Sequence, residues 1–243
     1  MKNAETTLAK LIEIGLRRYE MIRPGDRILI GVSGGKDSTC LARDLAMKRA
    51  WWDVPFEISA CFIATDIHET GKAERTDDSW IKTKMEEWEI PYLRIDVPVV
   101  GRLKDGESMN CFWCATQRRT ELSRYARANG FNKLALGHHM DDILETLLMN
   151  MLRKGEFATM PPVMKYDNYP LTVIRPLALC EERQVIACAV ELGFVSHTCS
   201  CDFNLEGARK RTRKLLETLT GGSSLAKRNI FKSMSQVKND YLA

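Results

Sequence analysis

Long apolar runs are missing: no stretch of the 243-residue sequence approaches the roughly 20 apolar residues that cross a bilayer, so no membrane partner is expected. The N-terminal stretch is not expected to be a secretion signal, because Glu5 and Glu13 interrupt it as parts of an amphipathic pattern. The expected compartment is therefore cytoplasmic, where the eight cysteines point to metal or catalysis rather than to disulfides. There is no internal repeat and no low-complexity linker, which suits one large domain with small appendages. A Walker loop is absent too. That loop needs four residues between its first glycine and Gly-Lys, and only Val32, Ser33 and Gly34 separate Gly31 from Gly35-Lys36.

What is present at that position is Ser33-Gly34-Gly35-Lys36-Asp37-Ser38, directly after the apolar run Ile28-Leu29-Ile30. Two glycines let backbone N–H groups approach an anion, and a following helix N-terminus adds partial positive charge. Lys36 contributes a full charge, and Ser33 and Ser38 contribute hydroxyl donors. Asp37 makes sense beside phosphate oxygens mainly if Mg²⁺ lies between them.

Periodicity predicts helices over 4–22, 38–50, 75–89, 112–129, 141–153 and 181–192, and strands over 27–32, 56–65, 92–99, 133–137 and 171–177. This alternation implies an α/β fold, a mostly parallel sheet with helices on both faces, and ligands beyond the C-terminal strand ends. Residues 1–195 form the expected main domain. Residues 196–243 form a Cys-containing loop and a basic helical appendage, which from Asp202 onward carries nine Lys and Arg against four Asp and Glu. A basic end on a body of formal net charge +4 points to a polyanionic partner, or to a solvated helix face.

Two further stretches carry chemistry. Cys111-Phe112-Trp113-Cys114 precedes a basic helix and admits zinc, a redox pair or an iron–sulfur cluster. Zinc usually wants a second CxxC, which is lacking, and a thioredoxin-like motif should follow the first strand. Adding Cys199 or Cys201 gives three thiolates and leaves one coordination position open, as reactive metal sites do. Gly137-His138-His139-Met140-Asp141-Asp142 joins a strand to a helix, where Asp141 either meets a metal or caps the helix. Cys40, Cys61, Cys180 and Cys188 read as small core hydrophobes, and Trp51-Trp52 as a core or interface plug.

The hexapeptide resembles the PP-loop of the N-type ATP pyrophosphatases. In one order, SGGKDS, CxxC followed by Arg118-Arg119, LGHHxDDILET, GxxxxMPP (155–162), IRPL (174–177) and a late cysteine resemble the iron–sulfur tRNA 2-thiocytidine synthetase family over roughly residues 8–240. The resemblance implies an enzyme, a tRNA-cytidine 2-sulfurtransferase-like ATP pyrophosphatase. ATP would lie over Ser33–Ser38, Gly137 and His138, with its adenosine near Ala64–Asp66. Lys36, Asp37 and Asp141 would be catalytic, the two aspartates placing Mg²⁺. A pyrimidine carbonyl oxygen would be adenylated with release of pyrophosphate, and sulfur from a 4Fe–4S cluster would then displace AMP.

Measured from Phe194, Cys199 matches the family's first late cysteine, giving the ligand set Cys111, Cys114 and Cys199; the family usually has Cys-x-x-Cys where this chain has Cys199-Ser200-Cys201. Arg118, Arg119, Arg209 and Arg213 would hold tRNA. The other expected partners are a sulfur donor, such as a cysteine desulfurase or free sulfide, and a second copy in a homodimer. The alternatives are a PP-loop thiolase acting on a small molecule or a different nucleoside, and a lysidine-synthetase-like ligase without a cluster.

Overall fold

Strand β1 (Asp26–Val32) sends apolar side chains to both faces of a sheet, as the unbroken run Ile28-Leu29-Ile30 requires. Ile28, Ile30 and Val32 join one core cluster, and Leu29 joins a second on the opposite face. The computed structural model describes residues 3–67, 77–166, 170–194 and 208–241. The sheet has six strands in the order β3-β2-β1-β4-β6-β5, with β2 at Phe56–Thr65, β3 at Tyr92–Val97, β4 at Lys133–Ala135, β5 at Val163–Lys165 and β6 at Thr172–Ile174. Every pairing is parallel except that of β5 with β6.

Helices α1 (Ala4–Arg18), α2 (Lys36–Trp51), α3 (Ser79–Glu87) and α6 (Glu182–Glu191) supply the first cluster through residues such as Ile12, Leu41, Ile81 and Val185. Helix α4 (Cys111–Ala128) covers the other face through Leu122 and Ala126. Helix α5 (Met140–Lys154) forms a third cluster with α7 (Ala208–Thr220), in which Met140 and Leu144 meet Leu216. Helix α8 (Ser224–Ser233) has no buried residue of its own and leans on that cluster through Ile230 and Phe231.

The expected mixed architecture is therefore what forms, with a few differences in extent. The strands expected over 133–137 and 171–177 contract to three residues each, and a short 3-10 helix, Pro176–Leu179, replaces the end of the second. Strand β5 lies outside every expected strand; three residues are too few to show a period. Cys40, Cys61, Cys180 and Cys188 are all buried, as small core hydrophobes should be. Trp52 is buried while Trp51 is exposed, so only one of the pair is a plug.

Strand β1 pairs with β2 on one side and with β4 on the other, so the sheet reverses its direction of growth at β1/β4. In open α/β sheets that reversal opens a crevice beyond the carboxyl ends of the two strands. Here those ends lead into residues 33–38 and 137–142.

Candidate active site

Gly34 adopts φ +77°, a conformation that side chains other than glycine's rarely tolerate, and it turns the chain from β1 into α2. The loop then closes on itself. Ser33 N–H donates to Ser38 Oγ at 3.1 Å, and Ser38 Oγ donates to the Gly35 carbonyl at 3.1 Å. Ser33 Oγ stands 3.2 Å from Ser38 Oγ, so both hydroxyls first serve to hold the turn. Gly137 presses against this loop: a Cβ there would lie 2.9 Å from Ser38 N and 3.1 Å from the Asp37 carbonyl carbon. The two expected halves of the site are in contact, and glycine at 137 is what permits it.

Lys36 Nζ is held between two carboxylates, 3.1 Å from Glu182 Oε1 and 3.3 Å from Asp37 Oδ1. Burial pulls the lysine pKa down, but the charge of Asp37 and the bond to Glu182 outweigh it and leave it raised. Burial pushes the Asp37 carboxyl up, against the opposing pull of His139 and Lys36. Asp37 Oδ1 is buried and, apart from its ion pair with Lys36, accepts no hydrogen bond. A buried carboxylate oxygen in that condition suits a cation better than it suits solvent.

The cap of α5 falls on His139, not Asp141. His139 Nδ1 accepts from Asp142 N–H at 3.3 Å, and Asp142 Oδ2 accepts from His139 N–H at 3.1 Å. Asp141 instead turns toward the C-terminal half of the chain. Its Oδ2 accepts from Glu182 N–H at 2.7 Å, at the start of α6, and its Oδ1 meets Lys227 Nζ of α8 at 2.9 Å. Arg213 of α7 pairs with buried Glu145 at 2.7 Å and approaches Glu182 at 3.6 Å. Two cations of the basic end thus lodge in the carboxylates around the loop. Glu182, Glu145 and Lys227 were not expected here. An acidic residue opening a helix reads as a complement to the helix dipole, and one lysine in a basic run carries no mark of its own.

At the other expected end of the nucleotide, Ala64 is buried, and Asp66 accepts from Val100 N–H at 2.8 Å and Gly101 N–H at 3.0 Å. The same segment anchors the CxxC, since Trp113 Nε1 donates to the Val99 carbonyl at 3.0 Å. Cys111 and Cys114 occupy the first turn of α4, capped by Asn110, one turn apart on a shared face. Thiolates gain stability from a helix N-terminus, so the pair fits a thiolate-held metal group. Among the described residues no third Cys, His, Asp or Glu completes a cluster with them. Cys199 and Cys201 lie outside the described residues. Further along α4, Arg118 is half-buried and Arg119 exposed; the side chain of Arg209 is not described.

A glycine loop closing on a helix start, at the reversal point of a parallel sheet and facing a second strand end, defines a nucleotide-binding α/β protein of the PP-loop class. A family model described as the PP-loop domain matches residues 2–216, and the chain belongs to that family. Within it, the chain is 34% identical over 245 aligned positions to a tRNA-cytidine(32) 2-sulfurtransferase of Coxiella burnetii (strain RSA 493 / Nine Mile phase I), spanning 99% of this chain and 93% of the relative. It is 35% identical over 228 positions to the tRNA-cytidine(32) 2-sulfurtransferase of Geobacter sulfurreducens, spanning 92% of this chain and 87% of the relative. Among solved structures, the U34-tRNA thiolase NcsA from Methanococcus maripaludis with its [4Fe-4S] cluster shares the fold at TM-score 0.77 and 21% identity, covering 98% of this chain and 80% of that one.

Proposed function

We propose that the chain is an ATP-dependent sulfurtransferase that replaces the C2 oxygen of a tRNA cytidine by sulfur. The single observation that carries this reading is the meeting of Ser33–Ser38 with Gly137, which puts Lys36 and Asp37 at the sheet's reversal point. ATP phosphates would take Glu182's place as partner of Lys36, and Lys36 and the loop amides would hold the departing pyrophosphate. Asp37 would place Mg²⁺ through its Oδ1; Asp141, already engaged by Lys227 and by Glu182 N–H, would position rather than ligate.

The cytidine O2 attacks the α-phosphate, pyrophosphate leaves, and a sulfide sulfur then adds at C2 and expels AMP. Cys111, Cys114 and Cys199 would hold a 4Fe–4S cluster, which would supply the iron chemistry for sulfur delivery. Arg118, Arg119 and the basic helices would hold tRNA backbone. The reading extends to a cysteine desulfurase or free sulfide as donor and to a homodimer in the cytoplasm.

Anaerobically reconstituted protein should contain iron and release pyrophosphate in the presence of unmodified tRNA. Lys36→Ala should keep the iron and lose the release. A Lys36→Ala protein releasing pyrophosphate at near wild-type rate removes the loop from the mechanism. Pyrophosphate release by an iron-free protein would favour a ligase of the lysidine-synthetase type.

A further inference from the structure

Arg175 follows β6 and precedes the Pro176–Leu179 turn, and it is 4% exposed. A buried guanidinium is normally matched by a carboxylate, because an uncompensated charge away from water is costly. Arg175 forms no ion pair among the described residues. Its one side-chain hydrogen bond runs from Nη1 to the Pro161 carbonyl at 2.6 Å, while its backbone N–H donates to the Pro162 carbonyl at 2.9 Å. Nε is buried and bonded to nothing. Nη1 is therefore fixed by the backbone, and the Nε edge of the fork is unspent.

The location adds meaning to that imbalance. Strand alternation puts Arg175 on the side of Val173, in the cluster covered by α4, and opposite to Ile174. The neighbouring strand end is that of β4, where Leu136 N–H donates to the Ile174 carbonyl at 3.0 Å, one residue before Gly137. The guanidinium pKa is lowered to about 10, chiefly by burial, with Tyr166 opposing the fall and the positive charge of Arg119 on α4 adding to it. Arg175 thus feels the charge of Arg119, which is bonded to Ala115 and Thr116 of its own helix, and among the described residues neither arginine forms an ion pair with a carboxylate.

We propose that Arg175 is an anion-binding residue of the site, taking a phosphate oxygen on its Nε edge, either from the nucleotide's α-phosphate or from the RNA backbone. A guanidinium suits this better than an ammonium, since its planar fork can hold two phosphate oxygens while Nη1 keeps its backbone anchor. The anion supplies the negative charge that the surrounding protein does not. The assignment rests on the reading that ATP and tRNA meet at this edge of the sheet.

Arg175→Met, close in length but uncharged, tests it on the full-length reconstituted protein with three probes: AMP, pyrophosphate and unmodified tRNA. Affinity for AMP or for tRNA should fall about tenfold to a hundredfold, the loss expected for a charge-assisted hydrogen bond in a buried site, while pyrophosphate binding stays unchanged. A fall for AMP assigns the nucleotide phosphate, and a fall for tRNA assigns the RNA backbone. If none of the three affinities falls, the assignment is overturned. If all three fall together, Arg175 only supports the fold of the site, and the assignment is equally overturned. Should the Met variant not fold, Arg175→Lys takes its place; it keeps the charge without the Nε edge, and wild-type affinity for both AMP and tRNA would overturn the proposal. A wild-type protein that binds none of the probes overturns the functional reading itself and this assignment with it.

Discussion

Gly137 has no side chain because Ser38 leaves no room for one. The contact that a Cβ would make, 2.9 Å to a backbone nitrogen, cannot be relieved by rotating a flexible side chain, so loop or strand must move. Gly137→Ala should therefore weaken ATP binding by at least about tenfold, since the displaced group belongs to the phosphate-binding turn itself. Stability should change by less than for a core truncation, because the position lies at the rim of the sheet. Titration with a non-hydrolysable ATP analogue checks it, and unaltered affinity would mean that the loop tolerates displacement. The structural role of glycines 34 and 35, turning the chain from strand to helix, was legible from sequence, because a glycine pair at such a junction marks a tight turn. That of Gly137 was legible only as part of a strand end. Glu182 was not legible at all: its partner Lys36 lies 146 positions away, and nothing local to the Glu181-Glu182 pair distinguishes it from a helix start.

At the scale of elements, α7 and α8 have little apolar surface with which to dock. Leu216 is the buried apolar residue that α7 contributes, and α8 contributes none. Charge pairs supplement that small apolar contact. Arg213 reaches Glu145, Lys227 reaches Asp141, and Arg228 approaches Glu181 at 3.5 Å. Glu145's side chain is 1% exposed, so removing its arginine leaves a carboxylate buried with less compensation. Arg213→Ala should destabilise the protein by about 1–3 kcal/mol, read by urea unfolding, whereas exposed Lys214→Ala should stay within about 0.5 kcal/mol. Equal effects from the two substitutions would show that the helices dock by other means. The sequence displayed these charges plainly, but not their direction: a basic run looks the same whether it faces solvent, nucleic acid or the protein's own acids. Strands β1 and β2 were legible because they combine length with apolar runs, whereas β5 has neither.

For the whole molecule, the question is what remains of the basic end once its inward-facing cations are discounted. Lys210, Arg211, Lys214, Lys232 and Lys238 are exposed. If they meet phosphates, tRNA affinity should fall steeply with salt, by a slope of about 0.7–0.9 per phosphate neutralised. Changing Lys210, Arg211 and Lys214 together to Gln should flatten that slope while leaving pyrophosphate binding intact. A slope unchanged by the triple substitution would make this surface a solvated face and favour a small-molecule substrate.

The charge pairs around Lys36 also impose an order in time. Their members sit at positions 36, 37, 141, 145, 182, 213 and 227, so the electrostatics of the site span most of the chain. During translation N-terminal segments emerge and fold first. A nascent chain that has released α2, α5 and α6 carries Asp37, Asp141, Glu145 and Glu182, but not yet Arg213 or Lys227. Arg213 and Lys227 arrive only with α7 and α8, so Glu145 and Asp141 wait for these partners until those helices have emerged.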